Sequence, residues 1–204
     1  FNADWSQGVG QVTLSAEPLE VPEKQTATLM HIPTSAEINI DGYAYDFWSD
    51  DPIMFNEFTA LQRDGWRLDN PKSEADFMPK WKAAWNDTAI FVFVKVVDDK
   101  VYGQGKWSDD AVELYFHFGD SAIEEGASNI WSQCRQGYHQ VPLRVPTITK
   151  SGGTACMTAG DRWESVQYAV ARTPNGYQLE AALPWDIFTD GDSTVVNPGL
   201  GDSF

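Results

Sequence analysis

A short aromatic and acidic segment near the middle of the chain contains the residues best suited to chemistry. Trp107 precedes Asp109 and Asp110, and Glu113 follows after two apolar residues. An indole ring can stack on the apolar C–H face of a pyranose, and carboxylates can accept strong hydrogen bonds from neighbouring sugar hydroxyls. The segment is therefore a candidate carbohydrate site, with Trp107, Asp110 and Glu113 as binding residues. A structural interpretation is also open, in which Trp107 caps the end of a domain and Glu113 is a solvated strand residue.

The same residues do not predict catalysis. Asp109 and Glu113 lie four positions apart near one strand end, which favours a binding cluster or a metal site over an acid and a nucleophile facing each other across a cleft. The three histidines, His31, His117 and His139, have no nucleophile at motif spacing, and no glycine-rich phosphate loop follows a strand. We therefore predict that the chain is not an enzyme and has no organic cofactor.

Glu113 lies in a segment with a strand pattern. Residues 111–118 alternate between apolar and polar side chains, and in a strand successive side chains point to opposite faces. One face is expected to pack against a core and the other to meet solvent. The predicted inward residues are Val112, Leu114, Phe116 and Phe118, and the outward ones are Glu113, Tyr115 and His117.

The rest of the chain also favours strands over helices. Residues 89–97 are β-branched and aromatic almost throughout, which is typical of a central strand covered on both faces. Helix is expected only at 51–61 and in one turn at 184–188. The sequence therefore predicts an all-β fold, a two-sheet antiparallel β-sandwich with little helix. Further strands are predicted at 27–32, 37–40, 77–85, 165–172 and 177–183.

The length of 204 residues fits one such domain. Residues 1–25 contain prolines and mixed charges and read as an N-terminal linker or opening strand, and residues 26–204 read as the sandwich. No run approaches the roughly 18 apolar residues that span a bilayer. We expect no membrane partner.

The chain is strongly acidic. Its 30 acidic and 14 basic residues give a formal charge of −16, which opposes nucleic acid and anionic membranes. Neutral sugars and divalent cations are compatible with this charge. Calcium prefers carboxylate oxygens, so we expect a structural calcium near Asp41, Asp98 or Asp109.

The two cysteines, Cys134 and Cys156, leave two interpretations open. They are two buried thiols of a cytosolic protein, or a disulfide formed in an oxidising compartment. We expect a carbohydrate-binding protein to be secreted, extracellular or periplasmic, and this location favours the disulfide.

Four segments in this order resemble the family 9 carbohydrate-binding modules. They are residues 40–42 with Trp48, residues 85–98, residues 107–116 and residues 176–185. The resemblance implies a two-sheet β-sandwich that binds the ends of glucan or xylan chains, is attached to a secreted glycoside hydrolase and is stabilised by calcium.

The resemblance also implies roles for particular residues. Sugar in that family lies between two tryptophans and is held by carboxylate and amide groups. Trp107 matches the first tryptophan and Glu113 matches the strand glutamate. The family's arginine falls near 140–144, where Arg144 is the candidate and Gln140 the runner-up.

The sequence departs from the family at its C-terminal end, where the family's last strands and second tryptophan are expected to be missing. Residues outside this sequence, or neighbouring subunits, would complete the sandwich. This motivates an alternative function, a structural or assembly subunit of an extracellular surface layer or filament. A third reading is a haem-binding electron-transfer subunit with an axial methionine, for which Met30, Met54, Met78 and Met157 are available.

Overall fold

The structure, a computed structural model, describes residues 28–44, 48, 75–103, 109–118, 138–148, 152–158, 163–189 and 194–200. The strands of these residues are β1 (Met30–His31), β2 (Phe77–Trp85), β3 (Ala89–Asp98), β4 (Ala111–His117), β5 (Tyr138–Arg144), β6 (Thr154–Thr158), β7 (Gln167–Thr173) and β8 (Gly176–Pro184). A 3₁₀ turn, Trp185–Ile187, follows β8. The predicted helix at 51–61 and the predicted linker at 1–25 lie outside the described residues.

The strands form two sheets. Six strands pair in the order β1-β2-β3-β8-β7-β6, and β4 pairs with β5 in a second sheet. All pairs are antiparallel except the short parallel pair of β1 and β2. The predicted all-β sandwich with little helix is confirmed. No helix of the described residues is long and apolar enough to cross a membrane.

The central strand β3 shows why the fold has two apolar layers. Its even-numbered apolar residues, such as Val92 and Val94, pack in the main core with Val141 and Leu143 of β5. Its odd-numbered residues pack on the opposite side of the sheet, where Phe93 joins a second apolar cluster. A strand buried on both faces needs a continuous apolar sequence, which is the pattern that predicted it.

The segment 32–44 and Trp48 cover this second side of the large sheet. Trp48 is fully buried, and its indole N–H donates to Oε1 of Glu180 on β8 at 2.7 Å. Oε2 of Glu180 accepts from the backbone N–H groups of Asp41 and Gly42 at 3.0 and 3.1 Å. Nζ of Lys82 on β2 donates to the Trp48 carbonyl at 2.6 Å. Two buried charged residues therefore attach this segment to the sheet.

Tight turns join the strands around β3. The side-chain Oδ1 of Asn86 accepts from the N–H groups of Thr88 and Ala89, which closes the β2–β3 turn. Gly176 begins β8 at a φ of 147°, and a Cβ placed there would meet the Val96 carbonyl oxygen at 2.0 Å. Only glycine fits this close approach between β8 and β3.

The sequence prediction differs from the structure in three places. Residues 37–40 are irregular and not a strand, and β1 is only two residues long. Strands β5 and β6 were not predicted. The missing β5 matters most, because it is the partner of the strand that carries Glu113.

Candidate functional site

The outer face of the β4–β5 pair carries the candidate site. The Val145 N–H donates to the Asp110 carbonyl at 2.8 Å, so these two residues form a hydrogen-bonded pair at the end of the ladder. Because hydrogen-bonded and non-hydrogen-bonded pairs alternate, Tyr115 with Gln140 and Glu113 with Pro142 are non-hydrogen-bonded pairs. Side chains are closer together in such pairs. Pro142 fits this position because it has no N–H to donate.

Three side chains on this face form a closed triangle of hydrogen bonds. The Tyr115 hydroxyl donates to Oε2 of Glu113 at 2.6 Å. Nε2 of Gln140 lies 3.0 Å from the same Glu113 oxygen and 3.0 Å from the Tyr115 hydroxyl oxygen. Glu113 and Tyr115 are exposed, Tyr115 to 45%. We name these three residues the β4–β5 triad.

The inner face of the same strands packs as predicted. Val112, Leu114 and Phe116 lie against the main core, and Phe118 is 3% exposed. The alternation that pointed Glu113 and Tyr115 to solvent is therefore confirmed. It follows that the β4–β5 triad stands on a strand pair whose opposite face is fixed by packing.

Arg144 also occupies the outer face, opposite Ala111 on β4. Its side chain is half-buried, and no ion pair joins it to Glu113. Its carbonyl oxygen accepts a hydrogen bond from the Tyr168 hydroxyl at 2.9 Å, which ties the end of β5 to the large sheet. Of the two candidates near 140–144, Gln140 is the one that the structure brings to Glu113.

Trp107 lies outside the described residues, but both flanks of its segment are described. The Tyr102 N–H donates to Oδ2 of Asp110 at 2.7 Å, and the Asp110 N–H donates to the Tyr102 carbonyl at 3.0 Å. The Thr147 hydroxyl donates to the Gly103 carbonyl. A Cβ at Gly103 would meet the Pro146 carbonyl oxygen at 2.2 Å. The segment that carries Trp107 therefore starts and ends against β4 and the end of β5.

Asp110 does not join the β4–β5 triad. Because Asp110 and Glu113 are three positions apart, their side chains point to opposite faces. The Asp110 carboxylate faces Tyr102 and Asp98. Burial raises the pKa of Asp110 above its usual value, and the nearby Asp98 adds to this. Burial likewise raises the pKa of Asp98, with a further contribution from Asp99. These carboxylates form an acidic group where β3 ends and β4 begins.

The three predicted calcium ligands occupy different surroundings. Oδ1 of Asp41 accepts from the Tyr43 N–H at 2.9 Å on the Glu180 side of the large sheet. Oδ1 of Asp98 accepts from the Lys100 N–H at 2.7 Å, and Asp109 adjoins Asp110. No group of three or more metal-binding side chains occurs among the described residues. Asp98 and Asp110 offer hard oxygen ligands, but on their own they do not complete a calcium shell.

The predicted disulfide is not found. Cys156 lies on β6 with an exposed, free thiol whose Sγ is 3.9 Å from the Ile40 carbonyl oxygen. Cys134 lies outside the described residues. The structure therefore does not support a bond between these cysteines.

Buried Glu180 is a third carboxylate with a raised pKa, and the cause is again burial, opposed by its three hydrogen bonds. Its partners are Trp48 and the backbone of residues 41 and 42, so it serves the fold. Sequence reasoning missed the contribution of Tyr115 to the site. The signal was present, since Tyr115 follows Glu113 at the period-two spacing that puts both on one face.

The chain is similar to solved structures and to one family model. Two solved structures match it, both of a family 9 carbohydrate-binding module from Caldicellulosiruptor kristjanssonii. The complex with cellotriose is 17% identical, with a TM-score of 0.40, and the match covers 77% of this chain and 67% of that one. The complex with glucose is 17% identical, with a TM-score of 0.41, and the match covers 76% and 68%. No curated protein matches.

The family model described as "Carbohydrate family 9 binding domain-like" matches residues 40–201. This range includes the β4–β5 triad and every strand except β1. Because the match covers more than half of the chain, the protein belongs to this family of carbohydrate-binding domains, and the resemblance read from the sequence is confirmed.

Proposed function

We propose that the chain is a non-catalytic module that binds the ends of glucan or xylan chains. The observation that carries the proposal is the solvent-facing β4–β5 triad, in which Glu113 is held next to a tyrosine and an amide. An exposed carboxylate with fixed neighbours is suited to accept hydrogen bonds from sugar hydroxyls. Membership of a carbohydrate-binding family supports this reading of the face.

Trp107 supplies the stacking surface in this proposal. The described residues on either side of it are bonded to each other just before β4, and to Thr147 just after β5, the two strands that form the triad's face. An aromatic ring on the apolar face of a pyranose contributes about 1 kcal/mol beyond the buried area. Stacking and a few hydrogen bonds together predict modest affinity.

Calorimetric titration with cellobiose and xylobiose tests this function. We expect the native protein to bind at least one of them, and Trp107→Ala and Glu113→Gln each to weaken binding about 5- to 10-fold, since each removes about 1 kcal/mol of interaction. Glu164→Gln, an equal charge change at an exposed residue before β7, is the control and should bind normally. Absence of heat at millimolar sugar for native protein and variants alike would overturn the proposal.

The cellular setting is proposed with the function. The target polysaccharides lie outside cells, so we place the protein in a secreted, extracellular or periplasmic location, joined to or acting beside a glycoside hydrolase. Incubation with soluble xylan or glucan should release no reducing sugar from the isolated chain. Fractionation of the producing cells would locate the protein.

A structural calcium is a further part of the proposal. Asp98 and Asp110 would hold it, because burial raises the pKa of both carboxyl groups, Asp98 adds to the rise at Asp110, and a divalent cation would offset the cost of these charges. The expected result is a higher melting temperature in calcium than in chelator. Equal melting temperatures would remove calcium from the proposal.

A further inference from the structure

The hydrogen bonds within the β4–β5 triad use all of its polar protons. A glutamine amide has two protons and a tyrosine hydroxyl has one, whereas an ionised carboxylate has none. The amide group of Gln140 that lies 3.0 Å from the Glu113 carboxylate must be the NH₂, because its oxygen would face another acceptor. Its second proton points to the Tyr115 oxygen, and the Tyr115 proton points to Glu113.

The two oxygens of Glu113 are therefore not equivalent. Each carboxylate oxygen can accept about two hydrogen bonds. Oε2 accepts one from Tyr115 and one from Gln140, while Oε1 has no hydrogen-bond partner among the described residues. Among the described residues, one oxygen is therefore occupied and the other is left to a ligand.

We propose that Tyr115 is the positioning residue of this site. Its hydroxyl, together with the Gln140 amide, holds Oε2 of Glu113, so that Oε1 alone is turned to the ligand and accepts hydrogen bonds from sugar hydroxyls. This inference rests on the proposed carbohydrate-binding function and assigns a role to a residue that neither the motif nor the resemblance singled out. The carboxylate engages the sugar through one oxygen and not bidentately through both.

The geometry favours a positioning role for Tyr115 over simple proximity to Glu113. Its hydroxyl lies 2.6 Å from Glu113, a short distance typical of a hydrogen bond to a charged acceptor. Gln140 stands directly opposite it on β5, in a close non-hydrogen-bonded pair, and bonds to both other members. A glutamate on an exposed strand otherwise rotates among several rotamers, and fixing it before binding lowers the entropy cost of association.

Tyr115→Phe is the direct test, because it keeps the ring and removes only the hydroxyl. We expect cellobiose to bind about 3- to 10-fold more weakly to this variant, as the loss of one hydrogen bond predicts. The melting temperature should stay within about 2 °C, since the lost bond lies at the surface. Tyr43→Phe is the matched control, because it removes a tyrosine hydrogen bond to Gly152 at another place in the fold.

A double-mutant cycle with Glu113→Ala separates positioning from packing. If Tyr115 acts through Glu113, then Tyr115→Phe should change the cellobiose affinity by less than 2-fold once Glu113 is gone. Ligand-observed magnetic resonance can follow binding at millimolar dissociation constants. An unchanged affinity of Tyr115→Phe, or an equal loss in both backgrounds, would overturn the role of Tyr115 while leaving carbohydrate binding intact. Failure of the native protein to bind would overturn both proposals.

Discussion

At the scale of single residues, the hydrogen bonds that hold Glu113 come from neutral neighbours. Gln140 and Tyr115 donate to one of its oxygens, and neither brings a countercharge. Arg144 occupies the same face but makes no ion pair with Glu113. Among the described residues Glu113 therefore has no countercharge, and its remaining hydrogen-bonding capacity suits a ligand with hydroxyl groups.

Gln140→Glu should abolish this arrangement. The new carboxylate would lie about where the amide now donates to Glu113, and two carboxylates at hydrogen-bond distance repel each other at neutral pH. We expect cellobiose affinity at pH 7 to fall about tenfold or more, because one hydrogen bond becomes a repulsion. Gln167→Glu, at an exposed position of β7, controls for net charge. Undiminished binding by Gln140→Glu would show that Gln140 does not support the site.

The sequence predicted only part of the β4–β5 triad. The period-two pattern of β4 correctly turned Glu113 and Tyr115 outward, because inward apolar residues fix the register of a strand. It could not supply Gln140 as the partner of Tyr115, because that contact depends on pairing with β5. Pro142 interrupts the β5 pattern, although Val141, Leu143 and Val145 point into the core with the same period.

At the scale of elements, β8 holds the outer layer of the large sheet through one buried side chain. Glu180 is 1% exposed and accepts from two backbone N–H groups and one indole N–H. Burial of a carboxylate is costly, and three charge-assisted hydrogen bonds offset that cost. This contact fixes Asp41, Gly42 and Trp48 against the large sheet.

Glu180→Gln should destabilise the fold although it changes few atoms. Glutamine has one acceptor oxygen, so either the backbone of Asp41 and Gly42 or the Trp48 indole would face an NH₂ group. A buried donor without an acceptor costs about 1–3 kcal/mol, which in a chain of this length lowers the melting temperature by roughly 5 °C. Thermal unfolding measures this, and the exposed Glu113→Gln is the control. Equal melting temperatures for the two variants would contradict the role given to Glu180.

How well the sequence predicted each element depended on the interactions that hold that element in place. Strands β2, β3, β4, β7 and β8 were predicted within about two residues at each end, because ladder pairing and a core face dictate their pattern. Residues 37–40 looked like a strand but are irregular, and the N–H groups of the next two residues, Asp41 and Gly42, donate to the Glu180 side chain. Such a contact spans 139 positions and leaves no local pattern in the sequence.

At the scale of the whole molecule, some of the carboxylates behind the net charge of −16 lie where a negative charge destabilises the fold. Asp98 and Asp110 are partly buried, and burial raises the pKa of each; Asp99 adds to the rise at Asp98 and Asp98 adds to the rise at Asp110, with Arg172 as a weaker opposing charge. A carboxyl group with a raised pKa in the folded state binds protons more readily there than in the unfolded chain. Protonation therefore stabilises the fold, and at neutral pH the ionised pair is a net cost.

Asp98→Asn should raise the melting temperature at pH 7 when measured in chelator. Asparagine keeps the oxygen that accepts from the Lys100 N–H and removes the repulsion. A gain of about 0.5–1 kcal/mol, as for other partly exposed charge interactions, corresponds to roughly 1–4 °C. The gain should shrink as pH falls through the raised pKa of Asp98 and vanish below the ordinary value of 3.8, where the native side chain is also neutral.

Asp186→Asn is the control for this variant, because Asp186 is exposed and has no polar partner among the described residues. It should show no comparable gain. In calcium the order should reverse, since a bound cation would stabilise the native pair of carboxylates and not the variant. A melting temperature of Asp98→Asn that is lower than native in chelator at pH 7 would mean that Asp98 stabilises the fold as an anion, contrary to the direction of its pKa.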